Sequence, residues 1–307
     1  MKARLIEDGG LAAADAEQFF RSPGFLAAEG VTHTLAVEGE ATLQLPVIVR
    51  PIERSERSDA ISPYGYPGAS EASEAPPDPA YVDWSETELV SVFIRDRIGS
   101  RACLANGTLR SHVHVAEGRD GIRKRLREQI RRNERRGWRV RVLAGGDVPA
   151  DDRSAFERAY AETMARTGAA DRYLFAGEYF ERLLASERSW LLLASADEGP
   201  GLAGAIAVAS DGYLHYYLGG TADEALGDSP MKNLFAAMID LGGELGLPVS
   251  LGGGVEPGDS LDDFKRGFAT GQAPWHTHEL ICDPGAYEEL SAGKDAGEFF
   301  PAYRASL

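Results

Sequence analysis

A lysine follows a glycine-rich segment near the end of the sequence, in a pattern suited to acyl transfer. A strand predicted over residues 248–251 runs into Gly252-Gly253-Gly254, and Lys265 lies in a helix predicted over residues 260–268. Glycines let the backbone approach a ligand, although an ordinary flexible turn has the same composition. An ammonium group there could stabilise the oxyanion that forms when an amine attacks an acyl group. The alternative interpretation of Lys265 is an exposed surface lysine.

The basic residues of this acidic chain are concentrated in one segment. The formal net charge is −16, yet residues 119–141 contain eleven Lys or Arg and three acids. Ile122, Leu126 and Ile130 recur every fourth residue, which predicts a helix over residues 120–136 with one apolar stripe. Its arginines could pair with the chain's own carboxylates, or their planar guanidinium groups could contact phosphates. The sequence is compatible with both interpretations.

The chain length of 307 residues favours two domains, because a single core seldom organises more than about 250 residues. The expected boundary is the turn-forming segment GGDVP at residues 145–149. It separates an N-terminal domain, residues 1–145, which holds the basic helix, from a C-terminal domain, residues 146–307. We expect an α/β fold in which each domain is a mixed sheet flanked by helices.

Membrane insertion, redox chemistry and metal binding are not indicated. No apolar run approaches the ~18 residues that span a bilayer, and the N-terminus lacks the apolar core of a secretion signal, so we expect a cytoplasmic protein. Cys103 and Cys282 provide no disulfide framework. His276, His278 and Cys282 could formally bind a metal, but they lack carboxylate support, and no metal site is predicted.

The second half has a regular order of predicted elements: helix, helix, three strands, helix, strand, helix and strand. On the strand predicted over residues 213–218, alternation places Tyr217 on the same face as Tyr213 and opposite to Tyr216. One face is expected to line a cleft, although packing alone also explains this aromatic cluster. In the first half we predict strands over residues 32–37, 42–49, 101–104 and 109–115, and a helix over residues 86–96.

Several separate segments resemble the Fem-type branch of the GNAT acyltransferases. In the second half they are residues 230–235 (PMKNLF), 251–254 (LGGG) and 262–268 (DDFKRGF). In the first half they are residues 62–67 (SPYGYP), 90–95 (VSVFIR) and 137–140 (GWRV), the last directly after the basic helix. The resemblance implies two tandem GNAT-like domains that share one active cleft. The long helical arm that some Fem ligases insert has no candidate segment here, so roles attributed to that arm do not transfer.

The resemblance also implies roles for individual residues. The functional lysine of the family's FK pair falls on Lys265, and Phe264 of the same pair is a substrate-binding candidate. The remaining substrate-binding candidates come from the turn between Pro and Gly residues in the first half, the central strand, the loop between the first two helices of the second half and the glycine segment: Tyr64, Tyr66, Arg166, Arg172, Tyr173, Tyr217, Gly253 and Gly254. Packing of the two turn tyrosines and helix-end ion pairs are the alternatives. No general base is evident.

The acyl donor is indicated by the loop after the central strand. GNAT acetyltransferases seat the pyrophosphate of coenzyme A on such a loop, and here it carries Asp223, Glu224 and Asp228 and no basic residue. These acids are expected to repel a pyrophosphate. Fem-type enzymes instead use aminoacyl-tRNA, and the predicted tRNA contacts are Arg131, Arg132, Arg135, Arg136 and Arg266.

The resemblance therefore implies an aminoacyltransferase that forms an amide on a small metabolite or a peptidoglycan precursor, with aminoacyl-tRNA as co-substrate and no resident cofactor. Two alternatives remain compatible with the sequence. One is an N-acyltransferase that uses acetyl-CoA or another acyl-CoA. The other is a GNAT-like protein that binds a ligand without catalysis.

Overall fold

The structure is a computed structural model that describes residues 1–39, 42–70, 75–196, 199–254 and 258–305. Its strands are β1 Lys2–Ile6, β2 His33–Glu38, β3 Leu43–Pro51, β4 Ser58–Ile61, β5 Leu89–Arg95, β6 Thr108–Ala116, β7 Trp138–Ala144, β8 Ser189–Ala196, β9 Ala203–Ser210, β10 Tyr213–Thr221, β11 Val249–Gly252 and β12 Gly271–Ile281. Its helices are α1 Pro23–Ala28, α2 Lys124–Arg135, α3 Ala150–Thr167, α4 Gly177–Leu184, α5 Met231–Leu245, α6 Ser260–Arg266 and α7 Pro284–Ser291. Within the described ranges, no helix is long and apolar enough to cross a membrane.

The second compact unit, residues 112–273, contains a mixed sheet ordered β6-β11-β10-β9-β8-β7. β10 and β11 run parallel, and the other neighbours run antiparallel. Leu192 packs in the core cluster with Phe235 of α5, whereas Leu193 and Phe156 of α3 would both meet a Cβ placed on Gly204. The sheet is therefore covered on both faces, which explains why every residue of β9 is buried.

The first compact unit comprises residues 1–111 and 274–307 and contains a sheet ordered β1-β2-β3-β4-β5-β12. β4 and β5 run parallel, and the remaining neighbours run antiparallel. The core of this unit is formed mainly by alternating apolar residues of β2 and β3, such as Leu35, Val37 and Leu45. α7 packs near β5 through Ala286 and Val90.

The two units have the same strand order, and the sixth strand of each comes from the other half of the sequence. Four consecutive strands are followed by a parallel fifth and an antiparallel sixth: β1 to β5 with β12, and β7 to β11 with β6. The expected pair of mixed-sheet domains is thus present, but the units divide at residues 111/112 and 273/274 and not at residue 145. Gly145 and Gly146 lie inside the second unit, between β7 and α3, and the basic helix belongs to that unit too.

Two local predictions in the first half were wrong. Residues 86–96 contain strand β5 in place of a helix, because Leu89, Val90 and Val92 belong to a buried, β-branched run. No strand covers residues 101–104, which lie within a described loop. The strands predicted near residues 32–37, 42–49 and 109–115 are confirmed as β2, β3 and β6.

Candidate active site

Lys265 is buried between the end of β11 and the middle of β10. α6 begins after Asp259, whose carboxylate accepts the amide hydrogen of Asp262 at 2.7 Å. One turn later, the Lys265 side chain points inward and the residue is only 6% exposed. Its Nζ donates to the carbonyl oxygen of Gly253 at 2.6 Å and lies 5.4 Å from the ring centroid of Tyr216. The surface-lysine interpretation is therefore excluded.

Burial gives Lys265 an unusual protonation equilibrium. Desolvation lowers the pKa of its ammonium group to about 8, while the carboxylates of Asp259 and Asp262 act in the opposite direction. At neutral pH most molecules carry a charged Lys265 with few competing water molecules around it. Such a group can stabilise a developing negative charge strongly.

The glycine segment leaves open space next to this lysine. Gly252 has a φ of 72°, a left-handed conformation that favours glycine. Among the described residues, no atom lies within 4 Å of a Cβ built on Gly253. The parallel pairing of β10 with β11 joins Leu214 with Val249 and His215 with Ser250. Lys265 thus bridges Gly253 and Tyr216 beyond the region where the two strands are paired.

Phe264 helps to place α6. Its ring centroid lies 5.3 Å from those of Phe235 and Phe268, and Phe235 lies 4.9 Å from Tyr216. These aromatic contacts fix one face of α6 against α5 and β10. Phe264 therefore has a packing contact next to Lys265, and its predicted substrate contact stays a prediction.

A second buried polar pair lies at the beginning of α6 and was not found from the sequence. The Nε2 atom of His114 on β6 lies 2.8 Å from Oδ1 of Asp262, and His114 is 2% exposed. Asp262 also contacts Arg266. The hydrogen bond from His114, and then that from Arg266, lower the pKa of the Asp262 carboxyl. His114 lies opposite Gly252 in the ladder of β6 and β11, so the pair adjoins the glycine segment.

Of the tyrosines on β10, Tyr216 has its ring next to Lys265. Tyr217 occupies an irregularity in the pairing of β9 with β10, and its hydroxyl contacts that of Tyr179 on α4 at 2.7 Å. Tyr216 and Tyr217 therefore face opposite sides of the sheet, as alternation predicted. Gly254 follows Gly253 and is partly exposed.

Arg166, Arg172 and Tyr173 lie at or after the end of α3. The Arg166 guanidinium pairs with Asp223 and donates to the carbonyl oxygen of Thr221 at 3.3 Å. Arg172 is exposed and stacks over the Tyr173 ring at 5.0 Å. Arg166 thus makes a structural contact with the loop after β10 that carries Asp223, Glu224 and Asp228, called the acidic loop below. The acceptor-binding roles of Arg166, Arg172 and Tyr173 stay predictions.

The acidic loop repels a pyrophosphate less strongly than the sequence indicates. Asp223 pairs with Arg166, and Asp228 pairs with Arg136 and accepts the Trp138 indole N–H at 3.1 Å. Two of the three carboxylates are therefore neutralised by arginines that are distant in sequence. The expected electrostatic exclusion of a pyrophosphate is weaker than the composition of the loop alone implies.

Helix α2 presents a row of arginines to solvent. Asn133 anchors its inner face by donating to Asp228 O and Asn233 Oδ1, both at 2.9 Å. Arginines near its two ends form ion pairs, as one interpretation expected: Arg123 with Asp263 and Arg136 with Asp228. Five others are exposed and form no ion pair with any described residue: Arg125, Arg127, Arg131, Arg132 and Arg135. Arg266, on α6, is paired with Asp262.

Tyr64 and Tyr66 belong to the first unit, whereas Lys265 belongs to the second. The Tyr66 ring packs edge-on against Phe20 and Trp275, with centroids 5.7 and 5.4 Å away. Burial raises the pKa of the Tyr66 hydroxyl. The backbone N–H of Tyr64 donates to the Glu29 carboxylate at 2.8 Å. Tyr66 therefore packs against other aromatic rings of the first unit, as the alternative interpretation held.

The first unit also contains a buried group of three potential metal ligands: Asp96, Cys103 and His278. The Nε2 atom of His278 lies 2.8 Å from Asp96 Oδ2 and 3.4 Å from Cys103 Sγ. Burial, and then the Asp96 carboxylate, raise the pKa of the Cys103 thiol. His278 is thus engaged with Asp96 and Cys103, and these hydrogen bonds account for the arrangement.

Comparisons with known proteins identify the fold of this site. Residues 121–266 match the family model described as an acetyltransferase (GNAT) domain, a span that contains His114's partner Asp262, Tyr216, Gly253 and Lys265. No curated protein matches the sequence. Among solved structures, FemX is 11% identical, with a TM-score of 0.57 over 84% of this chain and 89% of FemX.

Two further structures have similar folds. L-PGS from Bacillus licheniformis is 12% identical, with a TM-score of 0.54 over 85% of this chain and 87% of its own. The C-terminal DUF2156 domain of a protein assigned as a lysylphosphatidylglycerol synthetase, from Agrobacterium fabrum, is 13% identical, with a TM-score of 0.53 over 91% and 92%. Residues 121–266 therefore form an acetyltransferase (GNAT) domain, and the chain as a whole has a fold similar to that of FemX.

Proposed function

We propose that this acyltransferase takes an aminoacyl group from aminoacyl-tRNA and forms an amide on an amine of a small metabolite or peptidoglycan precursor. The observation that carries the proposal is the row of five exposed arginines on α2 that lack carboxylate partners among the described residues. Although the chain has a net charge of −16, these arginines are available to a polyanion.

The positive surface continues from α2 to the start of α5. Burial, and then the charges of Arg132 and Arg125, lower the pKa of Lys232. Three cations on two helices thus lie close enough to influence one another. Phosphate groups relieve such repulsion, and each neutralised phosphate releases counterions, which favours a nucleic-acid partner.

The loop before α5 offers few backbone amides to a coenzyme A pyrophosphate. The Asp223 amide donates to the Glu162 carboxylate at 2.7 Å, and the amides of Ala225, Asp228 and Ser229 donate to carbonyl oxygens of the same segment. A pyrophosphate at a helix start depends on amides of this kind. These engaged amides, and not the acidic side chains, disfavour a pyrophosphate here, because Asp223 and Asp228 are paired with arginines.

The names of the similar structures are compatible with this donor. A lysylphosphatidylglycerol synthetase, by its name, joins lysine to a lipid, and FemX shares the fold of this chain. At identities of 11 to 13% these proteins do not assign a substrate here. Aminoacyl transfer nevertheless suits the site, since the ester of an aminoacyl-tRNA is already activated. Lys265 would then stabilise the oxyanion formed at the ester carbonyl.

The test is to incubate the purified protein with a charged tRNA pool and pooled bacterial amine metabolites, and in parallel with acetyl-CoA and the same amines. We expect amide products only from charged tRNA, and we expect RNase pretreatment to abolish them. Products from acetyl-CoA that resist RNase would establish the acyl-CoA alternative, which the acetyltransferase description of the domain favours. Binding of tRNA without any product would indicate a non-catalytic protein.

A further inference from the structure

The pair formed by His114 and Asp262 has the arrangement of an oriented imidazole base. A carboxylate can only accept a hydrogen bond, so the Nε2 atom of His114, at 2.8 Å from Asp262 Oδ1, carries the proton. A neutral His114 therefore has its lone pair on Nδ1. Asp262 fixes both the tautomer and the orientation of the ring, as a carboxylate does in catalytic triads.

The Nδ1 atom of His114 is buried and has no hydrogen-bond partner in the described part of the chain. Buried polar atoms without a hydrogen-bond partner are uncommon in proteins, and a ligand or an ordered water molecule is a frequent reason for one. His215 on β10 is equally buried, but its Nε2 contacts a backbone carbonyl oxygen, that of Ser210 at 3.0 Å, whereas the Nε2 of His114 contacts a carboxylate. Burial also lowers the pKa of His215 to about 4.

His114 lies next to the candidate oxyanion site. It is opposite Gly252 in the strand ladder, and the carbonyl oxygen of the following residue, Gly253, accepts the Lys265 ammonium. Asp262 and Lys265 are three residues apart on α6 and therefore share one side of that helix. One short helix thus positions both an imidazole and an ammonium group around the end of β11.

We propose that His114 is the general base that deprotonates the attacking amine, and that Asp262 is the residue that positions it. The inference rests on acyl transfer to an amine, as set out above. The proton that the acceptor carries in its ammonium form moves to Nδ1 of His114, and the neutral amine nitrogen then bonds to the acyl carbon. Lys265 stabilises the oxyanion. The bond between the acyl carbon and the ester oxygen breaks, a second proton passes from the nitrogen to that oxygen, which leaves as a hydroxyl, and His114 releases its proton to solvent.

A comparison of two small amines of similar size, methylamine and hydroxylamine, distinguishes proton removal from the other steps of the reaction. Methylamine is protonated at neutral pH and needs a base, whereas hydroxylamine is already largely unprotonated. With charged tRNA as donor, we expect His114→Ala to lower transfer to methylamine by about 10²- to 10⁴-fold and transfer to hydroxylamine by less than about tenfold. Added imidazole should restore part of the methylamine rate. His112→Ala, an exposed histidine on the same strand, is the control and should leave both rates unchanged.

Asp262→Asn guards against misfolding of the His114 variant, because it preserves the shape of the side chain. It should favour the wrong imidazole tautomer and produce the same selective loss for methylamine, with an unchanged melting temperature. Asp263→Asn, its exposed neighbour, is the matched control. Equal losses for both amines without imidazole rescue, or unchanged rates, would overturn the inference. If the wild type used neither amine with charged tRNA or acetyl-CoA, the proposed function itself would fail.

Discussion

The ammonium group of Lys265 donates a hydrogen bond to the carbonyl oxygen of Gly253 at 2.6 Å. This contact joins the last turn of α6 to the glycine end of β11 and places a buried positive charge beside Gly253, on which a Cβ would meet no atom of the described residues. A substrate carbonyl oxygen can replace the Gly253 carbonyl oxygen as the acceptor of this hydrogen bond, because the charged donor is already in place.

Replacement of Lys265 by Met is expected to remove acyl transfer. Methionine fills a similar volume but cannot stabilise an oxyanion, and loss of one such donor lowers turnover by about 10²- to 10³-fold. Single-turnover rates with charged tRNA measure the effect. Lys294→Met, which removes an exposed lysine, serves as the control. Undiminished turnover in the Lys265 variant would place the active site elsewhere.

The same substitution is expected to change how stability depends on pH. The folded-state pKa of Lys265 is lowered to about 8 from 10.5, so between these values the unfolded chain binds the proton more tightly than the folded chain. Wild-type stability therefore gains up to roughly 3 kcal/mol from this group as pH rises from 8 to 10.5. The Met variant lacks this gain. Its stability relative to wild type should be highest below pH 8 and should decline above it.

Urea denaturation of both proteins at pH 7 and pH 10 measures this difference. Other groups that titrate in alkaline solution contribute to both proteins and cancel in the comparison. If the two stability curves stayed parallel over this range, Lys265 would not have the lowered pKa that its burial causes.

The arginine row on α2 is expected to set tRNA affinity. Replacing Arg131, Arg132 and Arg135 together by Ser should weaken binding and reduce the slope of log affinity against log salt by about 2 to 3. Fluorescence anisotropy with labelled tRNA at several salt concentrations gives this slope. A triple variant with the same charge change on α3 and α4 is the control: Arg153, Arg158 and Arg182 to Ser. Equal salt slopes in both variants would assign the α2 arginines to a solvated surface.

Gly253→Ala tests whether the end of β11 approaches substrate. An added methyl group meets no atom of the described part of the chain within 4 Å, so the melting temperature should change little. If the acyl donor or acceptor occupies this space, kcat/KM should fall at least about tenfold, because a misplacement of about 1 Å can cost that much and more. Gly243→Ala on α5, where an added Cβ also meets no atom, controls for the substitution itself. An unaltered kcat/KM would show that the space is not used.

Local patterns in the sequence predicted much of the second unit. Apolar spacing located α2, and the glycine segment followed by Lys265 located the end of β11 and α6, because helix periodicity and turn glycines are properties of neighbouring residues. The helix predicted over residues 86–96 failed, since a short apolar run such as that of β5 has no decisive period.

The residues that the sequence did not reveal depend on contacts between distant positions. His114 and Asp262 are 148 residues apart, and neither belongs to a recognisable spacing. The neutralisation of Asp223 by Arg166 likewise requires α3 to end beside the loop after β10. Pairings of this kind are set by the sheet order, which a single sequence does not specify.

The sixth strand of each unit comes from the other half of the sequence, and this has a consequence for synthesis on the ribosome. Residues 112–273 form a continuous unit, whereas the other unit combines residues 1–111 with β12, most of which follows the continuous unit in the sequence. Domains usually fold in the order in which they leave the ribosome. The full sequence of the unit that carries Lys265 is thus available before β12 can complete the other unit. During translation, β1 to β5 lack their sixth strand until then.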